Sequence, residues 1–193
     1  MIIKIDIDGV IRDTFAAMCN TYNNMFGTKL SSDDIYSYDT NTSFPLIKEK
    51  LGIDGNEFFF DQHIEESFIC QPLDGAVDAI NRLRAAGHHV AICSHQPKKR
   101  GRDLTLKFLE MNDIHYDSLH FTREKWLVKS HIIIDDCPDF LEDVRDTSIR
   151  FCVSYPFNHR LEPPAIQYRV NTLKEAADII LEKLVDGEVV EVK

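Results

Sequence analysis

The stretch IIKIDIDGV, residues 2–10, decides how this chain folds. It opens with an apolar run that is typical of a buried β-strand, and Gly9 near its end is typical of a tight turn. Between them stand two carboxylates, Asp6 and Asp8, with one isoleucine separating them. Like charges this close repel each other, so we expect either a cation beside them or a proton on one of them.

The remainder of the chain alternates apolar runs, bounded by turn residues, with stretches of helical periodicity. This alternation predicts an α/β fold with a parallel sheet. We predict strands over residues 2–7, 89–93, 118–121, 131–134 and 149–153, and helices over residues 75–86, 100–111, 139–146 and 173–184. Arg169–Val170 is a further strand candidate that is too short to predict by itself, and residues 187–193 are expected to be strand-like or loose.

Residues 14–72 separate the first predicted strand from the first predicted helix of the sheet. A crossover between parallel strands needs far fewer residues. The segment contains apolar-periodic stretches and many aromatic residues, and Pro72 stands where the chain returns to the sheet. We therefore predict a small helical cap, residues 14–72, inserted above the carboxyl end of the first strand of a core formed by residues 1–13 and 73–193.

Length and composition fit one domain of ordinary size or one domain that carries an insertion, with 193 residues of which 44% are hydrophobic. No apolar stretch approaches the roughly 18 residues that a spanning helix needs, and the N-terminus lacks the pattern of a signal peptide. We therefore expect a cytoplasmic protein without a membrane partner. The five cysteines are scattered without a C-x-x-C pair, which favours buried reduced thiols over a zinc site or disulfides.

The formal net charge of −10 restricts the partners of the chain. Such a charge repels duplex nucleic acid and anionic membranes. A small anionic substrate stays compatible with it, because cations gather locally in Lys98–Arg102 and again at Arg123, Lys125 and Lys129. A homodimer stays open as an assembly.

Polar side chains follow four of the predicted strands. They are Asp6 and Asp8 after the first strand, Ser94 and His95 after the second, Arg123 and Lys125 after the third, and Asp135 and Asp136 after the fourth. Because ligands of open α/β sheets gather at the carboxyl ends of the strands, these side chains should meet at one edge. Several carboxylates without cysteine or histidine partners suit a hard cation such as Mg²⁺, which would also relieve the repulsion between Asp6 and Asp8.

A metal that is only partly coordinated by protein leaves room for a phosphate oxygen and water. A neighbouring carboxylate can then attack phosphorus, and a second one can protonate the leaving alcohol and later activate water. A hydroxyl and a lysine neutralise the charge on the transferring group. The predicted convergence therefore favours phosphoryl transfer from a small phosphorylated substrate.

These motifs resemble those of the haloacid dehalogenase-like (HAD) superfamily along the whole chain. IIKIDIDGV is similar to its first motif, a hydrophobic strand followed by D-x-D-G; VAICS, residues 90–94, is similar to the second, and IIIDD, residues 132–136, to the fourth. The resemblance implies a Rossmann-like three-layer core with a small helical cap after the first strand. It also implies an Mg²⁺-dependent phosphatase that works through an aspartyl-phosphate.

The same resemblance implies a role for each matching residue. Asp6 is expected to be the nucleophile and Asp8 the general acid and base, while Ser94 binds the phosphoryl group. Asp135 and Asp136 are expected to complete a metal site with Asp6 and Asp8.

A narrower resemblance lies in FTREKWLVKSHIIIDDCPDFLEDV, residues 121–144, and in SYPFNHR, residues 154–160. Both are similar to segments of 5'(3')-deoxyribonucleotidases, in which T-R-D/E-K leads into I-D-D-x-P. The resemblance implies that Lys125 is the motif-three lysine, that Arg123 is its companion in substrate binding, and that the substrate is a nucleoside monophosphate. The chain departs from that family at Thr14, where an aromatic residue is usual.

Several assignments stay open in the sequence. Lys129 competes with Lys125 for the role of the motif-three lysine, although spacing to Asp135 favours Lys125. Asp135 and Asp136 could instead cap the helix near Pro138. If they belong to the metal site, we expect Asp136 to contact the metal and Asp135 to position Lys125 or a metal-bound water.

Two further side chains, His95 and Phe44, complete the predicted substrate-binding set, with Tyr38 as a second aromatic candidate for stacking on a base. Two other functions stay open. The first is a HAD phosphatase that acts on sugar phosphates or other small phosphomonoesters. The second is a catalytically silent metal-binding or regulatory module.

Overall fold

Six parallel strands form one sheet in the computed structural model, which describes residues 1–96 and 98–184. The strands are β1 (Ile2–Ile5), β2 (His89–Ser94), β3 (Ser118–Phe121), β4 (Ile132–Asp135), β5 (Ile149–Val153) and β6 (Tyr168–Val170). They follow the order β3-β2-β1-β4-β5-β6. The predicted α/β class with a Rossmann-like parallel sheet is confirmed. Residues 187–193, expected to be strand-like or loose, lie outside the described residues.

Helices supply the other layers of the fold. They are α1 (Thr14–Phe26), α2 (Thr40–Ser43), α3 (Gly55–Glu57), α4 (Ile64–Phe68), α5 (Ala76–Ala85), α6 (Lys99–Met111), α7 (Pro138–Leu141) and α8 (Leu173–Ile179). Single π-helical turns follow at Phe58–Gln62 and Ile180–Leu184, and another lies at Ile47–Leu51. Within the described ranges, no helix is long and apolar enough to cross a membrane.

Strand β1 lies at the centre of the sheet and organises the main core. Ile3 pairs with Val90 of β2 on one side and with Ile132 of β4 on the other. All three side chains are fully buried, as expected for a parallel sheet that is covered on both faces. The strand order reverses at β1, so its carboxyl end opens into the crevice where open α/β sheets bind ligands.

The inserted segment between β1 and α5 has an apolar cluster of its own. Tyr22, Phe58 and Phe59 are buried at its centre. The two chain connections to the sheet lie side by side, because the Leu73 amide donates to the Ile11 carbonyl at 2.8 Å. We retain the division into a core, residues 1–13 and 73–193, and a cap, residues 14–72, as a proposal.

Two predicted elements end earlier than expected. Strand β1 ends at Ile5 instead of residue 7, because the Ile7 carbonyl accepts the amides of Ile11 at 2.9 Å and Arg12 at 2.8 Å and so turns the chain. The predicted helix 139–146 is wrong beyond Leu141. There the Asp143 carboxylate accepts the Arg145 amide at 3.0 Å, a local bond that competes with helix formation.

The cysteines are free of disulfides, as predicted. Cys19, Cys93, Cys137 and Cys152 are buried, and Cys70 is half-buried. Burial raises the pKa of the Cys19, Cys93 and Cys152 thiols to about 12, so these thiols stay protonated at neutral pH.

A buried ion pair lies beneath the carboxyl end of the sheet. Lys4, on β1, is 1% exposed, and its ammonium group donates to the carbonyls of Lys125 at 2.9 Å and Val128 at 3.1 Å and to the Asp146 carboxylate. Burial by itself would raise the Asp146 pKa, but the hydrogen bonds from Lys4 and Ser148 lower it below its ordinary value. The pair therefore ties β1 to the segments that follow β3 and precede β5.

We expect Lys4→Met to destabilise the protein strongly, because it leaves Asp146 buried without its partner. Breaking a buried pair in this way costs about 3–5 kcal/mol in unfolding free energy, measurable by urea denaturation. Lys174→Met is the matched control, since Lys174 pairs with Asp178 at 3.1 Å on the exposed surface. That loss should stay below about 1 kcal/mol.

The effect of Lys4→Met should also depend on pH. Because the Asp146 pKa is lowered in the folded protein, its stabilising contribution is complete above the ordinary aspartate pKa of about 3.9 and is lost as pH falls through the folded value. The difference in stability between wild type and Lys4→Met should therefore shrink below about pH 4. Equal losses for the Lys4 and Lys174 variants at pH 7 would contradict the structural role of this pair.

Candidate active site

Six of the eight side chains predicted at the strand ends line one cavity of about 850 Å³. The sheet edge contributes Asp6, Asp8, Ser94, His95, Arg123 and Lys125 to its wall. The inserted segment contributes Phe15, Tyr38, Asn56, Glu57, Phe60 and Asp61. The cavity therefore lies between the carboxyl ends of the strands and the proposed cap.

Lys125 lies at the floor of this cavity, at the start of a short 3₁₀ helix, Lys125–Leu127. Its ammonium nitrogen is 2.6 Å from Asp135 Oδ2 and 2.9 Å from Asp6 Oδ1, and its side chain is 3% exposed. Burial by itself would lower the Lys125 pKa, but the attraction of Asp135 and Asp6 raises it. Lys125 is therefore charged at neutral pH, whereas the competing Lys129 is exposed and lines a separate cleft.

Three buried carboxylates, Asp6, Asp135 and Asp136, form a cluster in which one oxygen of each lies within 4.8 Å of the others. Burial raises the pKa of Asp6 and Asp136, and the Coulomb repulsion of Asp135 adds to this effect in both, while Lys125 opposes it. An oxygen-only cluster of this kind suits a hard divalent cation. Of the three, Asp6 also lines the cavity.

Asp135 and Asp136 differ in their hydrogen bonds. Asp135 accepts from Lys125 and, at 3.0 Å, from the Cys137 amide. Both carboxylate oxygens of Asp136 are buried without a hydrogen-bond partner among the described residues. Buried polar atoms in folded proteins almost always have a partner, so Asp136 points to a group that the protein itself does not supply. A divalent cation fits this requirement.

The loop after β5 holds the backbone of Asp136 in place. Asn158 is buried there and donates to the carbonyls of Asp136 at 2.8 Å and Val153 at 2.7 Å. The neighbouring Tyr155 hydroxyl donates to the Gly9 carbonyl at 3.0 Å. SYPFNHR drew attention to this loop in the sequence, but the anchoring role of Asn158 becomes visible only in the structure.

The role of Asp8 as a metal ligand stays a prediction, because its carboxylate has other partners in the structure. Asp8 is not in the three-carboxylate cluster; its Oδ1 accepts from Arg12 Nη2 at 2.6 Å and from Thr14 Oγ1 at 2.5 Å. Its Oδ2 accepts from Gln96 Nε2 at 2.9 Å. The repulsion between Asp6 and Asp8 is therefore offset by two separate cations, Lys125 beside Asp6 and Arg12 beside Asp8.

Phe44, which we predicted to contact substrate, does not line the cavity. Phe44 is 1% exposed and packs inside the apolar cluster of the inserted segment, with its ring centroid 5.2 Å from Tyr22 and 4.8 Å from Phe59. A position on a polar loop in the sequence does not reveal that this ring turns inward. The second aromatic candidate, Tyr38, lines the cavity and is 51% exposed.

The remaining predicted residues lie around the cavity at different depths. Ser94 is buried at the end of β2, whereas His95 and Arg123 are exposed at the rim. Partial burial and the positive charges of Arg123 and Lys125 lower the His95 pKa, so this imidazole is neutral at neutral pH. Gln96 was not predicted as a site residue; it donates to Ser94 Oγ at 3.4 Å as well as to Asp8.

A family model described as "5' nucleotidase, deoxy (Pyrimidine), cytosolic type C protein" matches residues 1–185. The chain belongs to this family. A relative from Bacillus cereus named "Putative nucleotidase" is 24% identical over 195 residues, which cover 93% of this chain and 97% of the relative. The predicted recognition of a nucleotidase-like HAD phosphatase is confirmed, and this nucleotidase-family chain is a hydrolase of phosphomonoesters.

Solved structures share the fold of this nucleotidase-family chain. A "predicted phosphatase" from Clostridium acetobutylicum has a TM-score of 0.59 at 18% identity, covering 94% of this chain and 98% of its own. The "putative HAD-hydrolase YfnB" from Bacillus subtilis, solved bound to magnesium, has a TM-score of 0.58 at 17% identity, covering 93% of this chain and 97% of its own. At these identities the likeness is one of fold.

Gly9 generates a prediction about the packing of the carboxylate cluster. Its φ is +73°, and a Cβ at this position would lie 2.7 Å from Asp136 Oδ2 and 2.8 Å from Phe15 Cε2. Gly27 is the matched control, because its φ is +68° and nothing lies within 4 Å of the corresponding Cβ. Gly9→Ala should lower the unfolding free energy by about 1–3 kcal/mol more than Gly27→Ala does, because this is the usual cost of overpacking.

Urea denaturation of the two alanine variants measures this difference. Both variants carry the same backbone strain, so the difference isolates the contact with Asp136 and Phe15. Equal losses of unfolding free energy in the two variants would show that the side chains around Gly9 move aside without an energetic cost.

Proposed function

We propose that this chain is an Mg²⁺-dependent 5'-nucleotidase that dephosphorylates ribo- or deoxyribonucleoside monophosphates through an aspartyl-phosphate on Asp6. The observation that carries the proposal is the contact between Asp6 and Lys125 at the floor of one cavity, with the unpartnered Asp136 in the same carboxylate cluster as Asp6. The nucleotidase family of the chain supports the substrate class. The family description also supports a cytosolic location.

Asp6, Asp135 and Asp136 would hold the metal ion. When bound, Mg²⁺ neutralises charge on the phosphoryl oxygens and acts as a Lewis acid. The magnesium-bound relative of the same fold supports this choice of ion. Because Asp135 already accepts a hydrogen bond from Lys125, we assign it a second task, that of holding the ammonium group beside Asp6.

In the proposed reaction, an oxygen of Asp6 attacks phosphorus while the bond from phosphorus to the 5'-oxygen breaks. Asp8 gives its proton to that departing oxygen, and the nucleoside leaves as a neutral alcohol. Asp8, now ionised, takes a proton from a water that attacks the aspartyl-phosphate, which releases inorganic phosphate and restores Asp6. Lys125 and Ser94 stabilise the negative charge on the transferring group.

The two walls of the cavity suit the two ends of a nucleotide. Lys125, His95 and Arg123 lie on the wall where the phosphate must react. The inserted segment contributes the Tyr38 and Phe15 rings to the cavity wall, and aromatic side chains stack on bases with about 1–3 kcal/mol per base. A cavity of about 850 Å³ is within the range of small-molecule sites.

The polar groups of the inserted segment favour a second candidate substrate class. Asn56, Glu57 and Asp61 line the cavity and can accept hydrogen bonds from the hydroxyl groups of a sugar. Sugar phosphates are therefore the alternative substrates. The catalytically silent module is the least supported alternative, because every side chain that the proposed reaction needs lies either in the cavity wall or in the carboxylate cluster with Asp6.

The substrate class is tested by measuring phosphate release from dUMP, dTMP, ribonucleoside monophosphates and sugar phosphates with Mg²⁺. We expect the nucleoside monophosphates to be hydrolysed with the highest kcat/KM. Asp6→Asn should abolish turnover without loss of the fold, because the amide cannot form the phosphoryl-enzyme. Asp33→Asn, at an exposed site on the inserted segment, is the control.

Two results would overturn these assignments. A higher kcat/KM for sugar phosphates would remove the nucleotidase assignment while leaving the phosphatase chemistry intact. Normal rates for Asp6→Asn would remove the nucleophile.

The metal assignment predicts opposite effects of Asp136→Asn with and without Mg²⁺. Without the ion, the variant should be as stable as wild type or more stable, because it removes a buried negative charge that lacks a partner. With Mg²⁺ at 100 times its dissociation constant, wild type should gain about 2.7 kcal/mol and the variant far less. Thermal unfolding with and without Mg²⁺ measures both effects, and equal gains in the two proteins would contradict the site.

A further inference from the structure

Arg12 is a buried cation that the proposed reaction does not use. It lies three residues after Gly9 of the first motif, and its side chain is 0% exposed. Burying a charge is costly unless it is paired and hydrogen-bonded. Its contacts therefore show what the guanidinium group does.

The first set of contacts is with Asp8. Arg12 donates to Asp8 Oδ1 through Nη2 at 2.6 Å and through Nε at 3.0 Å. Thr14 Oγ1 donates to the same oxygen at 2.5 Å, so Oδ1 has three donors. Among the residues that the structure describes, Oδ2 has one donor, Gln96 Nε2 at 2.9 Å. Asp8 is thus held mainly through Oδ1. Oδ2 keeps the capacity for a further hydrogen bond to a reacting group.

A second set of contacts fixes Arg12 itself. Its Nη1 lies 3.4 Å from the Phe68 carbonyl at the end of α4 and 3.4 Å from Thr105 Oγ1 on α6. The guanidinium carbon is 4.0 Å from the centroid of the Phe68 ring and 5.3 Å from that of Phe108. A planar, stacked guanidinium with fixed donors orients its partner in a way that a lysine ammonium cannot.

We infer that Arg12 is a positioning residue for phosphoryl transfer that acts through Asp8. The inference rests on the proposed function, in which Asp8 protonates the departing oxygen. By saturating Oδ1 and anchoring it to α4 and α6, Arg12 holds Oδ2 at the cavity, where the leaving group must lie. Proton transfer depends on such placement, because a general acid must come within hydrogen-bond reach of its target.

A residue that acts through a general acid has a distinctive kinetic signature. A poor leaving group such as phenolate needs the proton, whereas 4-nitrophenolate leaves readily without it. Loss of Arg12 should therefore slow phenyl phosphate more than 4-nitrophenyl phosphate, two substrates of similar size. A residue that only supports the fold would slow both substrates equally.

The experiment compares kcat/KM for the two aryl phosphates, with Mg²⁺, in wild type, Arg12→Lys and Arg12→Met. The ratio of the two values does not depend on the folded fraction, so it stays informative for a destabilised variant. We expect the ratio of phenyl to nitrophenyl phosphate to fall at least about tenfold in Arg12→Met, since general acids contribute about 10²–10⁴. Arg12→Lys should restore part of the ratio at most.

Arg82→Met is the matched control, because Arg82 pairs with Asp178 at 2.6 Å on the surface. We expect it to leave the ratio unchanged. In an Asp8→Asn background, Arg12→Met should have no further effect on the ratio, because the group through which Arg12 acts is gone.

Three outcomes would overturn the inference, and they separate it from the proposed function. If wild type releases phosphate from both substrates and the ratio is unchanged in the Arg12 variants, only the role of Arg12 fails. The same holds if Arg12→Met still changes the ratio in Asp8→Asn. If wild type releases phosphate from neither substrate nor from any nucleotide, the proposed function fails and the role of Arg12 fails with it.

Discussion

Neutralisation of the charge on Asp6 is the constraint on which the site depends. Asp6 is buried beside two further carboxylates, and without Lys125 at 2.9 Å its ionised form would lack a cationic partner among the described residues. Asp8, two residues later, also needs a cationic partner, and Arg12 is that partner. The site is therefore built from two short-range cation–carboxylate contacts on one strand end, and Asp136 is the carboxylate without such a contact.

Strand β1 and the residue that directly follows it, Asp6, together support Lys125. Residues two apart on a strand point to the same face, so Lys4 and Asp6 lie on one side of the sheet. Lys4 binds the carbonyl of Lys125 and Asp6 contacts its ammonium group. Backbone and side chain of the same lysine are thus tied to the same strand, which links the stability of the fold to the geometry of the site.

Much of this arrangement could be predicted from the sequence. The carboxyl ends of parallel strands lie at one edge of the sheet, so the topology alone brings together the side chains that follow them, Asp6, Ser94, Lys125 and Asp135. What could not be predicted depends on side-chain direction within irregular segments. The Asp8 carboxylate is directed toward the Arg12 guanidinium group and lies outside the three-carboxylate cluster. Phe44 turns inward because the inserted segment needs apolar rings for its own core.

The paired connections at the base of the inserted segment have an evolutionary and engineering consequence. Its entry and exit are hydrogen-bonded neighbours, as the amide of Asp13 donates to the carbonyl of Gln71 at 3.1 Å. Such adjacency lets a module be exchanged without rebuilding the host sheet. Yet Phe68, at the module's last helix, stacks on Arg12. A replacement segment would have to place an aromatic ring or a carbonyl against the Arg12 guanidinium group. Exchange of the segment is therefore constrained at this one contact.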